Sequence, residues 1–452
     1  MDSLDYWRQM GWGMAALDCA PFLLFLFLIA VLPFISAISS WWERPTSKFF
    51  TAVFFAGAGI AIYLFPDGDP AKVFGIYLDY LAFVVLLGAL FTVSGGIHIS
   101  GAFAGFPWVN TLFLAIGALL SNVLGTTGAS LLLIRPLLHA NQHRKHKAHI
   151  VVFFIYVVSN CAACLIPLGP PLYLGYLRGV PFFWTLRLAA PCALTVGLLL
   201  VLFHFYDERV FEKEELESKG RMAGDVAKAR RKIHIQGWGN LGYLVVMIGT
   251  ILFTGYVLNP AFSHAVGGQK ADLYSKAFQT LVMALVAFLS YRTTPEALHR
   301  QNRFHFGPMW EVVILFLGIF GCMIPVLALL EAKGDVMAIS HPWQFFWVSG
   351  ILSAFLDNAP TYLSATALAA SQRGLEPSHL GDLAEKFPAL LAAISCGSSF
   401  MGALTYIGNG PNFMVRAIAE QARVKMPSFG GYMLWSGAVL IPVFILITFI
   451  FF

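Results

Sequence analysis

Two stretches decide the fold: Ser121-Asn122-Val123-Leu124-Gly125-Thr126-Thr127-Gly128 and Asp357-Asn358-Ala359-Pro360-Thr361. Each interrupts an apolar run of about thirty residues, 107–138 and 343–371, with polar, Gly or Pro positions near its middle. A bilayer core about 30 Å thick is crossed by roughly 20 helical residues. Thirty residues with a polar centre are too long for one crossing, and each half is too short for another. The pattern predicts two re-entrant hairpins, each entering and leaving on one side with its polar tip inside.

The rest of the chain supports a lipid environment. Of 452 residues, 58% are hydrophobic and 12% charged, about half the charged fraction of a soluble domain. Runs such as Pro21–Phe34 and Val439–Phe452 lie between short charged clusters. Backbone amides in lipid must be satisfied within their own segment, so helices are expected. Ten crossings are read near 20–40, 49–65, 75–93, 150–176, 182–204, 237–258, 274–291, 309–330, 386–421 and 430–452. The expected fold class is an all-α integral membrane protein of about ten transmembrane helices plus two re-entrant hairpins in an inverted repeat. The N-terminus lacks a basic stretch followed by a cleavable small-residue site, so no signal peptide is expected.

Charge fixes the topology. With both hairpins in place, the loops at 41–48, 139–149, 205–236, 292–308 and 422–429 share one face and carry 18 Lys or Arg, against 8 on the other face. Basic loops mark the cytoplasmic side. Reading either hairpin as a single crossing would split them between two faces. Both termini are then outside, in a bacterial-type inner membrane. The charged stretch 205–236 reads as a solvated cytoplasmic linker between residues 1–204 and 237–452. Each half has five crossings and one hairpin, so the second half begins on the opposite face: an inverted repeat, as in many secondary transporters. Asn122 and Asn358 stand 236 residues apart. Overlaying 159–171 on 398–410 pairs Gly169 with Gly408 at a separation of 239.

Those two helices are themselves broken, by Pro167-Leu168-Gly169-Pro170-Pro171 and Gly408-Asn409-Gly410-Pro411. Each proline removes a donor and clashes with the preceding turn. Irregular backbone at membrane depth survives only when buried in protein or lining a wet cavity. Two tips and two breaks meeting near the midplane would form a transport site. Asp357 is the one carboxylate this topology places there, whereas Asp18, Asp79 and Glu311 fall near helix ends. Asp357 could cap the returning half-helix, a role compatible with transport. The candidate proton- and cation-binding residues are Asp357, Asn358, Thr361, Asn122, Thr126, Ser159, Asn160, Gly169, Ser398, Thr405, Gly408 and Asn409. Asp357, Asn358, Asn122 and Asn409 are candidate Na⁺ ligands, since oxygen donors suit a hard cation. A lone carboxyl that holds a proton or Na⁺, never both, is a minimal antiport device. No cofactor is expected; Na⁺ is the transported ion.

Other features read as structural. Cys161-Ala-Ala-Cys164 has the spacing of a metal or redox pair, but no second pair or nearby histidine completes it, so packing is expected. His139, His143, His146 and His149 recur in a basic stretch read as a solvated loop. His98 could approach the site or pack with a hydrogen-bonded partner. An intramembrane aspartyl protease would need two facing carboxyls, so the protein is not expected to be an enzyme. The net charge of +5 belongs to the basic loops, and no nucleic-acid partner is expected.

These residues resemble the ion transporter superfamily. Asp357-Asn358-Ala359-Pro360-Thr361 resembles the hairpin tip of NhaD-type sodium/proton antiporters, and Ile407-Gly408-Asn409-Gly410-Pro411-Asn412 the second unwound segment of that superfamily. Leu168-Gly169-Pro170-Pro171 looks like its counterpart, and GPPLYLGYLRGVPFFW (169–184) is similar to a subgroup labelled citrate transport or sodium/proton antiport. NhaD-type proteins carry Asp-Asn in the first hairpin too, where this chain has Ser121-Asn122. The resemblance implies Na⁺/H⁺ exchange at Asp357 by an elevator motion in a homodimer. The alternative is Na⁺- or H⁺-coupled transport of citrate or a dicarboxylate.

Overall fold

The computed structural model describes residues 5–32, 38, 41–42, 44–66, 68–100, 105–167, 171–217, 234–266, 268–302, 304–333, 339–375 and 380–452. The longer helices are α1 (Ala20–Val31), α2 (Pro45–Leu64), α3 (Pro70–Gly95), α4 (Pro107–Ala140), α5 (Ala148–Tyr156), α6 (Ala189–Glu217), α7 (Trp238–Phe253), α8 (Gly268–Thr293), α9 (Gly307–Cys322), α10 (Ile324–Lys333), α11 (Pro342–Ser353), α12 (Asn358–Gln372), α13 (Pro388–Phe400), α14 (Gly410–Gln421) and α15 (Phe429–Phe451). Helices α2, α3, α4, α11 and α13 start on proline, which needs no amide partner at a first turn and has the helical φ already set. Among the described residues, seven helices are long and apolar enough to cross a membrane, with shorter apolar helices beside them. The protein is an all-α multi-pass membrane protein.

Helix α4 folds back on itself. An unbroken helix of 34 residues would hold its ends about 50 Å apart. Instead Asn110 and Asn141 exchange two amide hydrogen bonds, at 3.0 and 2.8 Å. The reversal falls at Gly125, whose φ of 70° and ψ of 164° suit a residue without a Cβ. The rest of the Ser121–Gly128 interruption is helical, so the break is narrower than its sequence suggested. Helices α11 and α12 form a second hairpin around residues 354–357, and Arg373 Nη2 donates to Ser340 O across its open end at 2.8 Å.

Packing depends on small residues. A Cβ on Gly59 of α2 would stand 2.5 Å from Cys322 Cα and 2.8 Å from Gly321 O. One on Gly318 would stand 3.0 Å from Ala52 Cα. Ala52, Ala56 and Gly59 thus form a smooth stripe against Gly318 and Gly321 of α9, the close approach that small residues allow between apolar helices.

Several of the ten segments are interrupted. The 309–330 segment breaks at Met323, because Pro325 sits at the second position of α10 and denies α9 a donor. The 150–176 segment runs through α5 into a π-helical turn, Val157–Cys161, and is non-helical to Pro167. The 386–421 segment divides into α13, a 3-10 turn Met401–Leu404, irregular backbone and α14. The 237–258 segment ends in a second π-helical turn, Thr254–Leu258. At 20–40, α1 is described as Ala20–Val31, and residues 33–37 and 39–40 lie outside the described residues. One short ribbon departs from pure helix: His98–Ser100 pairs antiparallel with His234–Gln236 and ties the end of α3 to the start of α7.

The basic loops also differ from expectation. Arg144 and His149, read as solvated, are buried, as are Asp207 and Glu214 from the stretch read as linker. Arg144 reaches Asp207 at 2.5 Å and Glu214 at 3.1 Å, and His149 Nε2 lies 2.7 Å from Asp207. Helix α6 continues to Glu217, so its last turns cover this loop instead of leaving it in water. Residues 218–233 of the linker lie outside the described residues.

Candidate functional site

The second tip is organised by its asparagine. In the amide orientation that satisfies its neighbours, the Asn358 nitrogen donates to Ser353 Oγ at 2.7 Å and to Ser398 O and Gly408 O at 3.0 Å each. Ser353 Oγ donates to Ser398 O at 2.6 Å and so can accept from that nitrogen. Tip, α13 and the unwound segment are thereby joined at one residue. Asp357 occupies the N-cap of α12, where its carboxylate accepts from Asn358 N at 2.9 Å, as aspartate does at helix starts. Among the described residues, no Lys, Arg or His forms an ion pair with it.

Carbonyls of neighbouring segments crowd against Gly408 in the unwound segment 405–409. A Cβ on Gly408 would stand 2.6 Å from Gly402 O, 2.7 Å from Ser353 O and 2.9 Å from Ala354 O. Thr405 Oγ1 donates to Ala354 O and accepts from Ile407 N at 3.2 Å and Gly408 N at 3.0 Å. Its hydroxyl therefore serves two amides of the unwound segment and a carbonyl of the second tip.

The first half meets this segment through amides. Asn160, in the π-helical turn after α5, donates to Ile155 O and to Asn412 Oδ1, both at 2.8 Å. Asn409 donates to Ser159 O at 2.8 Å and Asn160 Oδ1 at 3.2 Å. Asn412 donates to Gly402 O at 2.8 Å and Thr405 O at 3.0 Å. Ser159 Oγ is 2.7 Å from Ser130 Oγ on the returning arm of α4. At the first tip, Asn122 Oδ1 accepts from Leu165 N at 2.9 Å, holding an amide freed by the break, and Asn122 Nδ2 donates to Ala118 O at 3.0 Å.

Of the twelve candidates, Asn358, Ser398, Thr405, Gly408, Asn409, Ser159 and Asn160 thus form one connected network. Among the described residues, Asn122 bonds to Leu165 N and Ala118 O and not to the network, and Asp357 adjoins it through Asn358 N. Thr126 is buried at the start of the returning arm of α4. Ser398 contributes its carbonyl, since its hydroxyl donates back to Ile394 O at 2.7 Å. Gly169 lies outside the described residues. Thr361 Oγ1, one turn beyond Asp357, is buried without a partner among the described residues, as is Ser399 Oγ beside Ser398. Buried polar atoms are seldom left so, and the Thr361 hydroxyl, one turn from Asp357, is available to a bound ion or its water.

Four contributors were missed. Asn412 had a usable signal, an amide just inside a half-helix that starts within the apolar segment. Ser353, Gly402 and Ser130 had none, because short polar or small residues within apolar runs are ordinary helix packing. Elsewhere, His98 packs as a hydrogen-bonded histidine, with Nδ1 2.8 Å from Asn302 Oδ1. The cysteines are buried free thiols, and among the described residues no His, Cys, Asp and Glu group is arranged to hold a metal.

A family described as "Putative citrate transport" matches residues 12–452. The chain belongs to this family. Membership of the citrate-transport family agrees with the multi-pass fold, and it indicates a transporter, with no catalytic family involved. The match does not single out the sodium/proton antiporters whose tip residues 357–361 resemble. No curated protein matches the chain.

Proposed function

We propose that this member of the citrate-transport family carries citrate or a related small carboxylate anion across the membrane together with a cation held at Asp357. One observation supports the reading: a network of neutral amides, hydroxyls and carbonyls adjoins one carboxylate, Asp357, with which no described Lys or Arg forms an ion pair. Two like charges 4 Å apart repel by about 4 kcal/mol at an effective dielectric of 20. A polycarboxylate without a cation would meet that repulsion at Asp357. A cation between them replaces repulsion with two attractions, and oxygen donors of this kind suit Na⁺ or a divalent ion. The N-termini of α12 and α14 both face the network, where helix dipoles favour the anion.

Residues 1–204 and 237–452 would act as the two inverted repeats, each supplying one hairpin and one broken helix. An elevator-type movement of the hairpins against a dimeric scaffold follows from the superfamily resemblance. Sodium/proton exchange without an organic anion is the second reading, favoured by the unpaired Asp357 carboxylate and its antiporter-like tip.

Proteoliposomes distinguish them. Radiolabelled citrate should accumulate when Na⁺, H⁺ or a divalent cation is supplied outside, and not without one. Uptake independent of every cation, or no citrate uptake alongside Na⁺-driven dissipation of a preset pH gradient, would reject citrate transport. The latter result would establish exchange.

A further inference from the structure

A second site lies away from the network. Residues 145–149, the last turns of α6, the stretch after α14 and Trp435 of α15 line a cavity of ≈ 660 Å³. Its lining includes Lys145, Lys147, Arg209, Lys213, Arg423 and Lys425, and no Asp or Glu. Of the nearby carboxylates, Asp207 and Glu214 pair with the buried Arg144 and also bond to His149 and His146 N of the lining, Glu217 reaches the lining Lys145 at 3.5 Å, and Glu420 pairs with Arg416 at 2.9 Å. One wall is apolar and aromatic, with Tyr206 against Trp435 at 5.9 Å between ring centroids. Tyr and Trp favour the headgroup level of a membrane.

Arg423 gives an independent indication. Helix α14 ends in a Schellman motif, with Val424 N bonded to Ala419 O at 3.0 Å and Arg423 N to Glu420 O at 2.9 Å. That motif requires a left-handed residue where glycine is the relaxed choice. Arg423 fills it at φ 62°, the one non-glycine residue with positive φ among those described. Backbone strain persists where the surroundings impose it and often marks function. Here it places a guanidinium in the cavity wall.

We infer that this cavity binds a phosphate-bearing anion, the headgroup of an anionic lipid or a soluble phosphate. Clustered Lys and Arg side chains supply the charge and donors that phosphate oxygens accept, and basic pockets between membrane helices suit anionic headgroups. Val210, Val424 and Trp435 offer apolar surface to the glycerol end of a lipid. The site needs no transport activity to be tested.

The experiment measures thermal unfolding of the full-length protein in neutral detergent with added cardiolipin, phosphatidylglycerol, phosphatidylcholine or inorganic pyrophosphate. The anionic lipids should raise Tm more than phosphatidylcholine, and salt should weaken the effect. Arg209→Ala combined with Lys213→Ala and Lys425→Ala should lower apparent affinity at least tenfold. Arg423→Gly should do so several-fold while leaving the lipid-free Tm unchanged or higher, since glycine relaxes the turn. Pyrophosphate reproducing the shift and competing with lipid identifies a soluble source; a shift with anionic lipid only identifies the headgroup. Equal shifts with phosphatidylcholine, or full anionic shifts in both variants, overturn the site.

Discussion

Asn160 Nδ2 donates to Asn412 Oδ1 at 2.8 Å, joining two residues 252 positions apart and the two halves of the chain. Both side chains are buried and give their remaining amide protons to backbone carbonyls: Asn160 to Ile155 O at the end of α5, Asn412 to Gly402 O and Thr405 O. The unwound segment is therefore held by amides whose own positions depend on one another.

Asn412→Ala should leave two carbonyls and Asn160 short of partners, at a cost of about 1–3 kcal/mol for each buried group stranded. Asn160→Ala should cost a similar amount. Because the two share one network, the double variant should lose less than the sum of the single losses. Thermal or denaturant unfolding in detergent measures this. Strict additivity would show that the contact is incidental.

Much of this arrangement was legible in the sequence. Asp357-Asn358 and Asn409-Gly410-Pro411 announced themselves because polar and helix-breaking residues inside an apolar run have few structural uses. The second tip lies against the unwound segment through Asn358 and Gly408, and the first tip holds Leu165 N through Asn122. What was not legible depended on partners from elsewhere. Arg144 looked like one more basic loop residue until Asp207 and Glu214 closed over it, and charge counting cannot distinguish a solvated cation from a buried one. Pro325 was a visible breaker that the apolar count across 309–330 overrode. Gly402 carried no signal, since its role lies in the absence of a side chain beside Asn160 and Asn358.

Asp357 both caps α12 and, in the proposed function, holds the cation. The two roles separate by substitution. Asn caps as well as Asp, so Asp357→Asn should keep the wild-type unfolding temperature yet lose cation-coupled uptake by at least an order of magnitude. Asp357→Ala should lose uptake and also about 0.5–2 kcal/mol of stability with the cap. Normal uptake by the asparagine variant in proteoliposomes would remove Asp357 from the cation site.

Gly402 makes a steric prediction. A Cβ there would collide with the Asn358 amide and stand 2.9 Å from Asn160 Oδ1 and 3.1 Å from Gly408 O. Gly402→Ala should therefore disrupt network and transport together, with a loss of roughly 1–3 kcal/mol from overpacking. Gly249→Ala in α7, where a Cβ would meet nothing within 4 Å, is the matched control and should keep uptake. Its stability should rise slightly, because alanine favours helix over glycine by about 1 kcal/mol. Parallel uptake and unfolding measurements on both variants test the comparison, and equal effects would contradict it.

His299 links stability to pH on the loop between α8 and α9. Its ring packs on Phe304 and Tyr291, with centroids 4.8 and 5.4 Å away. Burial holds its pKa below the ordinary histidine value; Arg135 pushes the same way, and Glu296 and a backbone contact at Tyr291 oppose. The unfolded chain therefore takes up this proton at a higher pH than the folded one. The stabilisation from the neutral ring is full above the ordinary histidine pKa and is lost as pH falls through it toward the lower folded value. His299→Phe keeps the aromatic contacts and removes the proton. Between pH 7.5 and 5.5 its unfolding temperature should fall less than that of the wild type, the other titrating groups being common to both. Parallel pH profiles for the two proteins would exclude a titrating role for His299.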